Sequence, residues 1–272
     1  MKTILLATDF SLAATNAAKF ALEMALKIKA DLLLFHAYQA TDYYSEIPLA
    51  LKVEDIKQDN ADKSIAKLKE QLYIESGSKI HIETLVKSGG FFFELNNLCK
   101  QINPYVVIMG SQGTTAAERL LFGGHTIYAM KHLKWPIITV PLGISYHHIK
   151  KIGLVCSFDN PVNDIPIDKT KILLDDFKAE LHVLINNKEK FDQEIVFESG
   201  ILHETLISLK PHYHYIAKNK NKDGIIEFAE KNHFDLLIIQ PGNHGFMENL
   251  IFKSHTKEMV LHSHIPILAL HS

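Results

Sequence analysis

Hydrophobic and polar positions alternate along this chain in two different periods. The run KTILLAT (residues 2–8) is short and almost wholly apolar, which predicts a buried strand. SLAATNAAKFALEMALKIK (11–29) spaces its apolar residues three and four apart and predicts an amphipathic helix; DLLLFHAY (31–38) is a second strand. The pattern continues with a polar helix over 53–76, a strand over 79–86, a helix over 91–101, a strand over 105–110, a helix over 125–133 and a strand over 136–141. Strands separated by helices of this length predict a parallel sheet covered on both faces, because parallel neighbours need long crossover connections.

The same order returns after about residue 150. ERLLFGGHTIYAMKHLKWPI (118–137) aligns without gaps with ENLIFKSHTKEMVLHSHIPI (248–267) at a shift of 130, and KADLLLF (29–35) aligns with KAELHVL (178–184) at a shift of 149. The 19-residue difference between those shifts predicts that the second half has lost one helix, the counterpart of 53–76. The boundary falls near 143–148. The expected architecture is α/β: two tandem Rossmann-like domains, residues 1–143 and 144–272, each a five-stranded, mainly parallel sheet with helices on both faces.

Composition changes this picture only by exclusion. At 272 residues and 47% hydrophobic content, the chain has room for two well-packed domains. A net charge of -2 gives no electrostatic reason to expect nucleic acid. Asp9 interrupts the apolar N-terminus far too early for a signal core, and no segment approaches the ~18 to 20 apolar residues of a membrane span, so a cytoplasmic protein is expected. Cys99 and Cys156, one in each half, suit a reducing compartment and offer no disulfide or metal framework.

Candidate chemistry concentrates in MGSQGTTAAERLLFGGHT (109–126), where glycines stand at 110, 113, 123 and 124 between a strand and a helix. Glycine is costly to order, and clustered there it lets backbone bend sharply or approach a ligand closely. Amides at such a helix start can hold an anion. The repeat sharpens the point. His125, Thr126, His132 and Pro136 recur as His255, Thr256, His262 and Pro266, as a shared fold requires, whereas the four glycines face Gln240, Asn243, Lys253 and Ser254. Asp9 has two readings, cap of the following helix or ligand contact. Arg119 reads as a solvated loop charge, and the charged stretch 45–72 as a solvated amphipathic helix. Of the 16 histidines, His212 and His214 share one face of a strand, which permits chelation but equally suits a polar sheet face; with nothing to fix convergence, no metal site is assigned.

These residues resemble the universal stress protein family, whose nucleotide-binding members carry G-x2-G-x9-G-[ST] between the fourth strand and the last helix. Gly110, Gly113 and Gly123 match that spacing, and ILLATDFS (4–11) and LLLFHAY (32–38) are similar to the family's first two strands. The resemblance covers both halves and implies a tandem member with a degenerate second domain. It implies ATP, with or without Mg, in the first domain only. Ala7, Asp9, Ala37 and Met109 would line the base and ribose, Gly110 and Gly113 would pass close to ribose and phosphates, and Gly123, Gly124 and His125 would present amides to the phosphates. One departure stands out: the family's Ser/Thr is Gly124 here. A lost phosphate hydrogen bond weakens binding by roughly 1 to 3 kcal/mol, one or two decades in affinity. The family also implies that the last strands of the two units pair, making a pseudo-twofold unit within the chain.

The leading expectation is a nucleotide-binding regulatory or stress-response protein that holds ATP, turning it over slowly at most. The chain has no G-x4-GK[ST] loop and no nucleophile with an identifiable base. The alternatives are an interaction scaffold that binds no nucleotide and, behind it, an adenylyl-transferring enzyme. Expected partners are an adenine nucleotide and a protein the sequence does not identify, with a homodimer left open and no nucleic acid or membrane.

Overall fold

The computed structural model describes residues 2–39, 47–111, 125–156, 165–187, 200, 202–217, 224–240 and 263–271. In chain order the elements are β1 (Thr3–Ala7), α1 (Leu12–Ile28), β2 (Asp31–Tyr38), α2 (Ile47–Glu75), β3 (Ile82–Ser88), α3 (Phe91–Ile102), β4 (Val106–Gly110), α4 (125–132) and β5 (Ile137–Val140). They continue as β6 (Lys151–Cys156), α5 (Ile167–Phe177), β7 (Glu180–Asn187), α6 (202–206, running into a 3-10 turn at Ile207–Leu209), β8 (His212–Ala217), α7 (Gly224–Lys231), β9 (Leu236–Ile239) and β10 (Ile267–Ala269).

The ten strands form one sheet in the order β3-β2-β1-β4-β5-β10-β9-β6-β7-β8. Each half contributes five parallel strands, and the halves meet where β5 and β10 run antiparallel, with Ile267 opposite Thr139 and Ala269 opposite Ile137. The short, apolar last strands thus cover one another's edge. The connection is 19 residues shorter where the repeat placed the loss, 39–81 separating β2 from β3 by 43 residues and 188–211 separating β7 from β8 by 24. The helix expected to be missing there is nevertheless present: α6, with its 3-10 turn, stands between β7 and β8 as α2 stands between β2 and β3, so the deletion trimmed this segment without removing its helix.

Local sequence explains most of the elements. Ser11 caps α1, its Oγ accepting from the Ala14 amide at 3.1 Å. Alanines at 13, 14, 17, 18, 21 and 25 are all buried, so the helix lies close on the sheet. In α2, Ala61, Ile65, Leu68 and Leu72 are buried at helical spacing while the rest of the described face is largely exposed, the solvated amphipathic helix expected. Two boundaries moved. α2 begins at Ile47 rather than 53, with Pro48 in its first turn, where a missing N–H is harmless. β3 runs from Ile82 to Ser88 rather than 79–86, because its span is set by β2, against which it pairs from Leu32–Ile82 to Tyr38–Ser88.

One layer of buried side chains lies under α1, α2, α5 and α6, the other under α3, α4 and α7, and both layers contain residues of both halves. The two halves therefore share continuous cores rather than having one each. Polar contacts tie them further: Lys2 and the Tyr105 hydroxyl both reach the Asp176 carboxylate, the latter donating at 2.8 Å. The connection between halves is also pinned, since the Asn16 amide donates to the carbonyls of Pro141 at 3.1 Å and Ile144 at 2.9 Å.

Candidate functional site

In the first half the strand order reverses between β1 and β4, and the crevice at the carboxyl ends of strands at such a point is where open α/β sheets bind ligands. A cavity of about 350 Å³ opens there. Ala7, Asp9, Ala37, Met109, Gly110 and His125, six of the nine residues singled out from sequence, line it together. Gly113, Gly123 and Gly124 lie outside the described residues.

The turn between β1 and α1 forms one wall. Phe10 sits at φ 64, in the left-handed region, which costs a non-glycine residue roughly 1 to 2 kcal/mol. Three contacts hold it there. Its amide donates to Thr8 Oγ1 at 3.0 Å, the next amide, of Ser11, donates to Asp9 Oδ1 at 3.0 Å, and its ring packs on His36 with centroids 4.6 Å apart. Of the two readings of Asp9, helix capping goes to Ser11 instead; Asp9 closes the turn just outside the helix and remains on the cavity wall. His36 Nδ1 lies 2.8 Å from the Thr8 carbonyl, which can only accept, so Nδ1 carries the proton of this bond.

Gly110 ends β4 where α1 begins. A Cβ there would lie 2.7 Å from the Ala13 carbonyl carbon and 2.8 Å from its oxygen, both backbone. Glycine at 110 is thus required by the packing of α1 on β4, a reason that sequence comparison of the two halves did not supply. Thr126 in the first turn of α4 donates to the Gly110 carbonyl at 3.3 Å, tying the helix to the strand end. The first turns of α1 and α4 both border the cavity, and helix starts carry partial positive charge.

Sequence reasoning missed Thr8, Ser11, His36, Gln39, Gly89, Phe91 and Thr126 among the lining residues. The adjacent pair Gly89-Gly90 after a strand was the available signal. Gly89 lies at φ 147, and a Cβ on it would be 2.8 Å from Glu94 Oε1. Among the described residues no group of three or more His, Cys, Asp or Glu is placed to hold a metal ion. The histidines of β7 and β8 instead bond to one another, His182 Nδ1 lying 2.9 Å from His214 Nε2. No described helix is long and apolar enough to cross a membrane.

Fold and cavity together define a doubly wound α/β protein with a crevice at its switch point. The universal stress protein family model matches residues 1–141, slightly over half of the 272-residue chain, and the chain belongs to that family. It is similar in fold to a crystal structure of a universal stress protein from Archaeoglobus fulgidus, at 15% identity and a TM-score of 0.66 over 99% of this chain and 96% of that one. A protein of unknown function from Pseudomonas aeruginosa matches at 13% identity and a TM-score of 0.55, over 99% of this chain and 92% of its own. Both likenesses span the two halves. A universal stress protein solved in complex with cAMP matches at 21% identity and a TM-score of 0.39, over 52% of this chain and 98% of its own. None of the curated proteins matches this chain.

Proposed function

We propose that residues 1–143 form a unit that holds an adenine nucleotide, ATP, in the switch-point cavity for a regulatory role in the stress response, and that 144–272 is a sister unit without a site, the whole working in the cytoplasm. The observation that carries this is convergence: residues from β1, β2, β4 and α4, singled out by the glycine spacing and the family resemblance, border a single cavity of about 350 Å³. That volume lies within the roughly 300 to 1,000 Å³ of small-molecule pockets. The lining is suited to a nucleoside, with Ala7, Ala37 and Met109 apolar and Asp9, Ser11 and Thr126 able to meet hydroxyls. Asp9 is the one carboxylate among the described lining residues, so it is the group to which an accompanying Mg²⁺ would turn. Phosphates would meet the amides at the start of α4.

A second reading, an interaction scaffold that binds no nucleotide, draws on Gly110, whose lack of a side chain is explained by α1 alone. Thermal shift and equilibrium binding with ATP and AMP separate the two. Under the first reading ATP raises the melting temperature, the gain reaching about 2.7 kcal/mol when ATP is at 100 times its Kd. Ala37→Phe, which fills the cavity from β2, removes that response and leaves the unliganded melting temperature within a few degrees. No heat and no shift at millimolar ATP in the unmodified protein would overturn the first reading and leave the scaffold.

A further inference from the structure

Phe91, the first residue of α3, lines the cavity although no sequence motif pointed to it. It is half-buried, and its ring is braced on two sides: it lies tilted against Phe35 with centroids 6.3 Å apart, and edge-on to His125 at 5.5 Å and 67°. The turn that delivers it is specified by backbone. The Gly89 amide donates to the Tyr38 carbonyl at 2.9 Å, fastening the turn to the end of β2, and the φ of 147 at Gly89 is one that other residues rarely adopt. Ala37, beside that strand end, shares the cavity with the ring, as do Ala7 and Met109. The cavity lining therefore combines apolar residues and a braced phenyl ring, Ala7, Ala37, Met109 and Phe91, with the polar Thr8, Asp9 and Ser11.

The sister half supplies an independent comparison. The shift of 130 that aligns β4 with β9 carries back through α3 without a gap: buried Leu95 and Cys99 fall on buried Ile225 and Ala229. Asn103 and His233, at φ 45 and 54, fall together in the left-handed region. In this register Phe91 corresponds to Asn221. The aromatic residue, like the glycines, thus belongs to the first half's sequence alone.

From these observations we infer that Phe91 is the stacking surface for the base of the bound nucleotide. The inference rests on the proposed nucleotide reading and gives the cavity a selectivity: ligands with a planar aromatic heterocycle gain from the ring what a base-free phosphate ester cannot. Stacking of a base on an aromatic side chain is worth about 5- to 150-fold in affinity.

The test is equilibrium binding of ATP, together with the fluorescence of 2-aminopurine riboside triphosphate, to the unmodified protein, Phe91→Leu and Phe91→Tyr. Stacking quenches that fluorophore. Quenching is expected in the unmodified protein and in Phe91→Tyr, and is expected to vanish in Phe91→Leu along with about 5- to 150-fold of the ATP affinity, the unliganded melting temperatures staying within a few degrees. ATP affinity within twofold in Phe91→Leu, or a fluorophore that binds the unmodified protein unquenched, overturns the inference while leaving nucleotide binding intact. The second outcome does not depend on any variant folding. An unmodified protein that binds neither nucleotide overturns both readings.

Discussion

Three backbone atoms crowd the place where a side chain at Gly110 would begin, the carbonyl carbon and oxygen of Ala13 and the nitrogen of Ala14, and none can move without disturbing the first turn of α1. Gly110→Ala should therefore destabilise the protein by about 1 to 3 kcal/mol, read as a lower urea midpoint at unchanged slope. A midpoint equal to that of the unmodified protein would show that the helix start yields. The same residue marks what was legible at this scale. Its position beside a site could be read from glycine spacing; the cause of its being glycine could not, because Ala13 lies 97 positions away in sequence. Asp9 is similar: the sequence places it at the site, but that Ser11 takes the capping role is settled by which side chain reaches Ala14. Phe91 escaped notice because a phenylalanine opening a helix reads as core.

Among the elements, β2 was legible to the residue, 31–38, since its apolar run and flanking polar residues mark both ends. β3 was not, because its register follows its neighbour. The pairing of β7 with β8 carries the more unusual chemistry. It sets His182 opposite His212, with His214 two residues on, where the shift of 149 gives His182 the apolar counterpart Leu33. Burial above all, with His214, His212 and Lys151 adding, pushes His182 down to about 4, while Glu180 pulls weakly the other way. Burial, then Lys151 and His212, lowers His214 as well. Both rings are thus neutral in the fold at pH values where the unfolded chain, with histidine near 6.5, takes up protons. The contribution of His182 to stability is complete above about pH 6.5 and declines as pH falls towards 4, by up to about 1.4 kcal/mol per pH unit, and His214 acts in the same direction. Urea midpoints at pH 7.5, 6 and 5 should fall in that order, and His182→Leu should flatten the series. An equally steep series in the variant would place the acid sensitivity elsewhere.

For the whole molecule, the repeat predicted two units, and the pairing of β5 with β10 matches what the family resemblance implied for their last strands. The continuity of the cores was hidden, because no pattern within a strand tells which half's helix will cover it. Cys99 belongs to one core layer and Cys156 to the other, and burial pushes both thiols up to about 12. A thiol so protonated and enclosed reacts only when the structure opens. Ellman's reagent should leave both untouched in the native protein and modify both at one common rate set by unfolding. Two distinct rates would show that one half opens without the other.

The join between halves also decides how near they are to sensing each other. Gly110 pairs with Val140 at the end of β5, and the same short β5 carries Ile137–Thr139 against Ile267–Ala269. Anything seated at Gly110 is therefore a single ribbon's width from the sister half, and a molecule wedged there would brace the seam where β5 meets β10. Amide protons of residues 267–269 would then exchange more slowly when the crevice is filled, although none of those residues touches it.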